Sequence, residues 1–168
     1  MKTLTQQMAQ YSAYHRTTGN KAIHFLFVPL IVWSLMGLLG QWRLVSVAGL
    51  AITPAVVLMV AVLVYYLMLD IPFGIATAVL FTFLIGTAIQ VQDALGGRSW
   101  QVFGLVFVAS WFAQFAGHAF IEHRKPALVD NVLQVFVAPI FVVAEWAFAL
   151  GIRPQLRADV EQGMQAHL

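Results

Sequence analysis

Long apolar runs separated by short polar joints dominate the chain. Five stretches approach the ~20 residues that a helix needs to cross ~30 Å of hydrocarbon. They are Ala22 to Gly40, Leu44 to Leu69, Ile71 to Gln90, Trp100 to Phe120 and Val132 to Leu150. Within the second, Pro54 either kinks the run or marks its true start. The third follows so closely on Asp70-Ile71-Pro72 that the two must form a hairpin. Backbone groups in a bilayer find no water to bond, so each span is expected to be helical. No period-2 alternation argues for a barrel. The polar joints are Gln41-Trp42-Arg43, then Gln92 to Arg98 with Gly96-Gly97 as a turn signal, and Glu122 to Asn131. The polar N-terminus does not resemble a cleaved signal peptide, and the tail from Arg153 suits a short surface helix. The pattern predicts an all-α, polytopic transmembrane helical bundle of four to five membrane segments plus a short N-terminal interfacial helix. Residues 1–168 are expected to form a single integral membrane domain.

Composition explains why a non-aqueous solvent is needed. Apolar types make up 61% of the 168 residues and charged types 10%, against about 45–50% and ~25% in soluble domains. A formal charge of +2, thinly scattered, does not suit a nucleic-acid partner. With no cysteine, disulfides and thiolate metal sites are excluded. Four crossings separate the N-terminal segment from the Glu122–Asn131 joint, which places both on one side. That side holds Lys2, Arg16, Lys21, Arg124 and Lys125. The other holds Arg43 and Arg98, with Arg153 and Arg157 added if the fifth run crosses fully. If that run instead re-enters at Pro139, the two tail arginines change sides. Either count favours a cytoplasmic N-terminus, in a multi-pass membrane protein with its polar site facing the cytoplasm.

Four of the five histidines fall in two short windows. His15 and His24 flank Thr17-Thr18-Gly19-Asn20-Lys21, and His118 and His123 flank Ala119-Phe120-Ile121-Glu122. Crossing parity puts both windows at the same membrane face. On one straight helix His15 and His24 would point about 180° apart, so their convergence needs a break. Gly19 could end the first helix, and Asn20 could cap the next. His118 and Glu122, four apart, share a helix face; His123 is rotated off it and stands in reserve. Neutral imidazoles are common metal ligands, and three of them suit Fe, Zn, Cu or Ni. A single interfacial histidine is often only an anchor. Two clusters on one side favour a site, because intramembrane ionisable groups are functional by default. Glu145 lies inside the fifth run, where an ionised carboxylate at the centre would cost ~2.5–3.5 kcal/mol. It is therefore expected to be protonated, paired with a cation, or in reserve as support for a metal site. Gln90, Gln114 and Gln134 also fall in apolar runs, and the last two are expected to bond across helices. His167, at the tail, is expected to be uninvolved. No phosphate loop or HExxH pattern occurs.

At these same residues the chain resembles the 2-hydroxy fatty acid dioxygenases of the fungal endoplasmic reticulum and their bacterial relatives. The N-terminal block reads Tyr14-His15, Asn20, His24 and Phe27-Val28-Pro29. The C-terminal block reads Gln114, Gly117-His118, Glu122, Pro126-Ala127-Leu128, Asp130-Asn131, Gln134, Ala138-Pro139, Phe141 and Glu145. The resemblance implies an Fe2+-dependent enzyme of fatty-acid α-oxidation that cleaves the C1–C2 bond of a long-chain 2-hydroxy fatty acid with O2. The product is a fatty acid one carbon shorter. It also implies His15, His24 and His118 as metal ligands. Glu122 would be a fourth ligand or an acceptor orienting an imidazole. Lys21, Arg124 or Lys125 would pair with the substrate carboxylate, and Asn20 and Asp130-Asn131 would cap helices. The acyl tail would lie among membrane lipid. Two other readings fit the same residues: a non-catalytic lipid-binding membrane protein, and a zinc-dependent membrane lipid hydrolase.

Overall fold

The structure, a computed structural model, describes residues 2–166; His167 lies outside them. The described backbone is overwhelmingly helical, as the apolar runs require. Helix α1 (Leu4–Ala13) opens on a capping box. The Thr3 hydroxyl accepts from the Gln6 N–H, and the Gln6 side chain accepts from the Thr3 N–H, so two terminal donors are satisfied. Helix α2 (Thr18–Leu39) has 22 residues, a rise of ~33 Å. Pro29 sits inside it and cannot donate back to the preceding turn.

The second apolar run is not one helix. It begins as a hairpin of β1 (Val45–Val47) and β2 (Leu50–Ile52), paired antiparallel with Val45 opposite Ile52. Ala48 and Gly49 both take positive φ at its tip, the geometry of a two-residue hairpin turn. Helix α3 (Pro54–Leu69) then starts at Pro54, with the Thr53 hydroxyl accepting from the Val56 N–H. Pro54 is thus a helix start rather than a kink, because proline at the first position forfeits no helical bond. Asp70 ends α3 and caps α4 (Ile71–Leu95), its carboxylate accepting from the Phe73 N–H. The expected hairpin of α3 and α4 forms. A tight turn at Gly96–Arg98 leads into α5 (Ser99–Ala116), which passes directly into a wider π turn at Gly117–Glu122. Beyond it come α6 (Ala127–Asp130), a 3-10 turn at Val132–Phe136, α7 (Ala138–Ala149) and α8 (Pro154–Gln165). The fifth run is therefore divided as well. Pro139 lies in the first turn of α7, whose 12 residues rise only ~18 Å.

Among the described residues, two stretches are long and apolar enough to cross a membrane, Thr18–Leu39 and Ile71–Glu122; α3 and α7 are apolar but shorter. On α4, Ile75, Val79 and Phe83 recur every fourth residue and are all exposed, an apolar stripe of the kind that lipid covers.

The chain divides into two compact units, Met1–Val28 with Phe112–Leu168, and Pro29–Trp111. In the first, α8 packs along α1, where a Cβ on Gly163 would meet Ala9 at 3.1 Å. Ile140, Phe141, Val142 and Ala144 of α7 are buried. In the second, Phe103 is fully buried with Trp33 edge-on at 4.8 Å, and the Gln92 side chain donates to the Gly37 carbonyl at 2.8 Å. A Cβ on Gly37 would run into the Phe103 ring, whereas one on Gly86 would meet nothing within 4 Å. Gly37→Ala is expected to destabilise by about 1–3 kcal/mol through overpacking. Gly86→Ala should stabilise by up to ~1 kcal/mol through helix propensity. Thermal unfolding of the two variants in detergent should move their midpoints in opposite directions; equal shifts would refute the packing at Gly37.

Candidate metal centre

The first unit gathers His15, His24 and His118, all three buried, with ligand atoms within 4.8 Å of one another. Each arrives by a local device. Helix α1 ends at Ala13, with Tyr14 as its C-cap, so the break falls at Tyr14–Thr17 rather than at Gly19. The Tyr11 carbonyl, in the last turn of α1, accepts from the Tyr14 N–H and lies 2.8 Å from His15 Nδ1. The Asn20 carbonyl in the first turn of α2 lies 3.0 Å from His24 Nδ1. A carbonyl only accepts, so in both rings Nδ1 carries the proton and Nε2 carries the lone pair. These two Nε2 atoms face each other at 3.0 Å. The His118 ring completes the group, with centroids 4.8 Å from His15 and 5.2 Å from His24. Its Nδ1 is buried and has no hydrogen-bond partner among the described residues.

Two lone pairs at this separation repel unless a proton or a cation lies between them. Burial, and then the neighbouring His24, push the His15 imidazole well below the usual histidine range, which disfavours the proton. A metal ion satisfies the same geometry. Two nitrogens each ~2.1 Å from one ion and at right angles across it are ~3 Å apart. The donor set and the orphaned His118 Nδ1 thus fit a bound metal. Tyr11 stacks on His15 with centroids 4.1 Å apart and planes 7° apart. Phe141 packs on Tyr11 at 4.5 Å and closes that side.

Glu122 does not orient an imidazole. Its carboxylate accepts from the Arg16 N–H at 2.8 Å, the Thr17 N–H at 3.1 Å, the Thr17 hydroxyl at 2.7 Å and the Asn20 side-chain amide at 3.2 Å. It therefore fixes the joint between α1 and α2, where the backbone N–H groups have no helical acceptors of their own. Thr17, not Asn20, caps α2, its hydroxyl accepting from the Asn20 N–H at 3.4 Å. Asn20 and Gly19 lie inside that helix. Gly19 leaves room for Ile121, and a Cβ on Gly117 would meet Asn20 Oδ1 at 2.7 Å.

Of the other residues singled out in the sequence, Lys21 pairs with Glu145 at 3.1 Å, so Glu145 meets a cation as one of its expected options. Lys125 pairs with Asp130, which also accepts from the Tyr14 hydroxyl at 2.7 Å. Asp130 is thus no helix cap. Asn131 is one, accepting from the Leu133 N–H at 3.0 Å. His123 is exposed, takes φ of 53° at the end of the π turn, and stands outside the histidine group. With Arg124 it lines a cavity of about 450 Å³ that reaches His118. Gln114 and Gln134 are buried, each with one side-chain atom unpartnered among the described residues, so no cross-helix bond satisfies those atoms. Sequence reasoning missed Tyr11 and Thr17. Tyr11 stands one helical turn before His15, a spacing that could have exposed it.

Helices long and apolar enough to cross a membrane and a buried three-histidine group able to hold a metal ion define the class: an α-helical protein with a candidate metal centre. The chain belongs to the family described as 2-hydroxy-palmitic acid dioxygenase Mpo1-like, which matches residues 1–150. It is 34% identical over 163 residues to the 2-hydroxy-palmitic acid dioxygenase MPO1 of Saccharomyces cerevisiae, covering 96% of this chain and 90% of the yeast protein. No solved structure matches it.

Replacing Glu122 tests whether the joint sets the ligands. Glu122→Gln is expected to weaken metal affinity about tenfold or more, as outer partners of a site typically do. His15→Ala, His24→Ala and His118→Ala should each abolish stoichiometric binding. Metal retained during dialysis against graded chelator measures both effects, and wild-type retention by Glu122→Gln would refute the positioning role.

Proposed function

We propose that the protein is an Fe2+-dependent, membrane-embedded dioxygenase acting on long-chain 2-hydroxy fatty acids. The observation that carries this reading is the pair of carbonyl-locked imidazoles, His15 and His24, whose Nε2 lone pairs meet beside a partnerless His118 nitrogen, in a chain of a family described by that activity. The overall change balances as R–CH(OH)–COOH + O2 → R–COOH + CO2 + H2O. The C1–C2 bond breaks, C2 becomes the new carboxyl carbon, and the substrate supplies all four electrons that O2 accepts, so no external reductant is required.

Iron held by His15, His24 and His118 would supply the O2 chemistry, three neutral ligands leaving positions open for it. The chain's own residues do the rest. Tyr11 and Phe141 keep water from the His15 side of the group. The Tyr11 and Asn20 carbonyls hold the Nδ1 protons of His15 and His24, so that neither ring can turn its lone pair away. Glu122 acts at one remove, as a positioning residue. Arg124 contributes positive charge, which favours a carboxylate substrate, whereas Lys21 is held by Glu145. The apolar stretches Thr18–Leu39 and Ile71–Glu122 anchor the protein in a bilayer, where membrane lipid can accommodate the acyl tail. A multi-pass arrangement with the site toward the cytoplasm accords with the charge pattern.

Protein purified anaerobically in detergent with supplemented iron should contain near-stoichiometric iron, lost in His15→Ala, His24→Ala and His118→Ala. It should consume O2 with 2-hydroxypalmitate and release pentadecanoate. Zinc held by the same residues with hydrolysis independent of O2 would turn the reading to a lipid hydrolase. Absence of any metal would leave a lipid-binding protein.

A further inference from the structure

Among the three histidines, His118 alone lines the cavity of about 450 Å³. The same cavity is lined by a basic trio, His123, Arg124 and Lys125, which follows directly on the π turn. On the other side its lining is apolar, with Phe115 and Ala119 of the α5–π turn stretch and Pro126 beyond it. Phe112, Phe115 and Ala119 recur at three- and four-residue spacing, so they share one face of that stretch. Phe112 is 74% exposed and Phe115 44%. An exposed aromatic stripe thus runs along the helix into a pocket whose other lining is cationic. That is the shape of a site for an amphiphile with an anionic head.

The cations are not equivalent. Lys125 is held by Asp130, and Lys21, outside the cavity, is held by Glu145. The Arg124 guanidinium has no such partner among the described residues, and its backbone N–H donates to the His118 carbonyl at 3.1 Å. That bond ties the position of Arg124 to the residue that carries the third imidazole. A guanidinium also presents a planar fork that matches a carboxylate with two parallel bonds, which an ammonium cannot do.

We propose that this cavity is the headgroup site for a long-chain carboxylate, with Arg124 binding the carboxylate and the Phe112–Phe115–Ala119 face carrying the first part of the tail. The assignment deepens the dioxygenase reading and rests on it for the identity of the substrate. It selects Arg124 over Lys21 and Lys125, and it places the reacting end of the molecule next to His118.

The test is equilibrium binding of radiolabelled 2-hydroxypalmitate to metal-free protein in neutral detergent, with steady-state O2 uptake by the iron-loaded protein run in parallel. Arg124→Gln should raise Kd at least tenfold and raise KM in parallel. Arg124→Lys should fall between it and the wild type, and Arg43→Gln, which removes a charge elsewhere, should bind normally. Wild-type affinity in Arg124→Gln would overturn the proposal, as would tighter binding of hexadecyl phosphate than of 2-hydroxypalmitate, which would make the site one for phosphate headgroups. If wild-type protein turns over 2-hydroxypalmitate and Arg124→Gln keeps its KM, the headgroup site is wrong and the dioxygenase reading stands. If wild-type protein shows no O2 uptake and Arg124→Gln still loses binding, the dioxygenase reading fails and the headgroup site stands.

Discussion

Everything at the candidate centre hangs on one carboxylate. Glu122 ends the π turn that also carries His118, and four donors from the α1–α2 joint converge on its two oxygens. Burying a carboxylate costs several kcal/mol, and hydrogen bonds to a charged group contribute about 1.5–3 kcal/mol each. Four such bonds can therefore offset the burial, and each one lost erodes that balance. The donors are as dependent on Glu122 as it is on them. Arg16 and Thr17 lie between two helices, where their N–H groups have no helical carbonyl to bond. The contact joins residues more than 100 positions apart in sequence, and it brings the loop after His15, the first turn before His24 and the turn after His118 to one point. The histidines meet because their backbones are held together, not because they attract one another.

What the sequence made legible follows the strength of the local signals. Thr53-Pro54 and Asp70-Ile71-Pro72 are helix starts with a capping side chain and a proline in the first turn, and both act as such. The apolar runs announced helices of membrane-crossing length at α2 and at α4–α5. The hairpin at Val45–Ile52 was hidden because its residues are as apolar as the helix that follows, so hydropathy carried no boundary. The split before α7 was hidden for the same reason, although Pro139 marked it. At the site, the two histidine windows stood out by residue type alone. The partner of Glu122 did not, because backbone N–H groups are present at every position and only the fold decides which are left over. That is also why Asn20, a good capping residue in isolation, does not provide the cap that Thr17 does.

The π turn explains how a helix of the apolar stretch can carry a polar corner. Such single turns widen the helix and are frequent at functional sites. Here the turn begins at Gly117, where the absence of a Cβ lets the backbone approach the Asn20 side chain, and it ends at His123 with a left-handed residue that folds the His123 and Arg124 N–H groups onto the His118 carbonyl. The backbone around His118 is thus satisfied within the turn itself, and its ring is left free for other partners.

The three imidazoles are consequently not alike. All three rings are buried, at 1%, 2% and 3% exposure, but only His15 and His24 are each locked by a carbonyl one turn back. His118 reaches the cavity and keeps an unpartnered nitrogen. A metal site that admits a large amphiphile needs both properties: rigid, dry ligands on the protein side and access on one side only. Water reaching all three rings would compete for the lone pairs and let His15 take up a proton, while a fully sealed group would admit no substrate. The rigid pair lies where α1 and α7 supply packing, through Tyr11 and Phe141, and the third imidazole where the chain leaves its apolar stretch for a basic loop. A lipid lying along the apolar helix face with its head in the cavity would meet positive charge and His118 at the same end. The proposed chemistry needs that arrangement of contacts, because both the hydroxyl and the carboxylate that react sit at one end of the molecule.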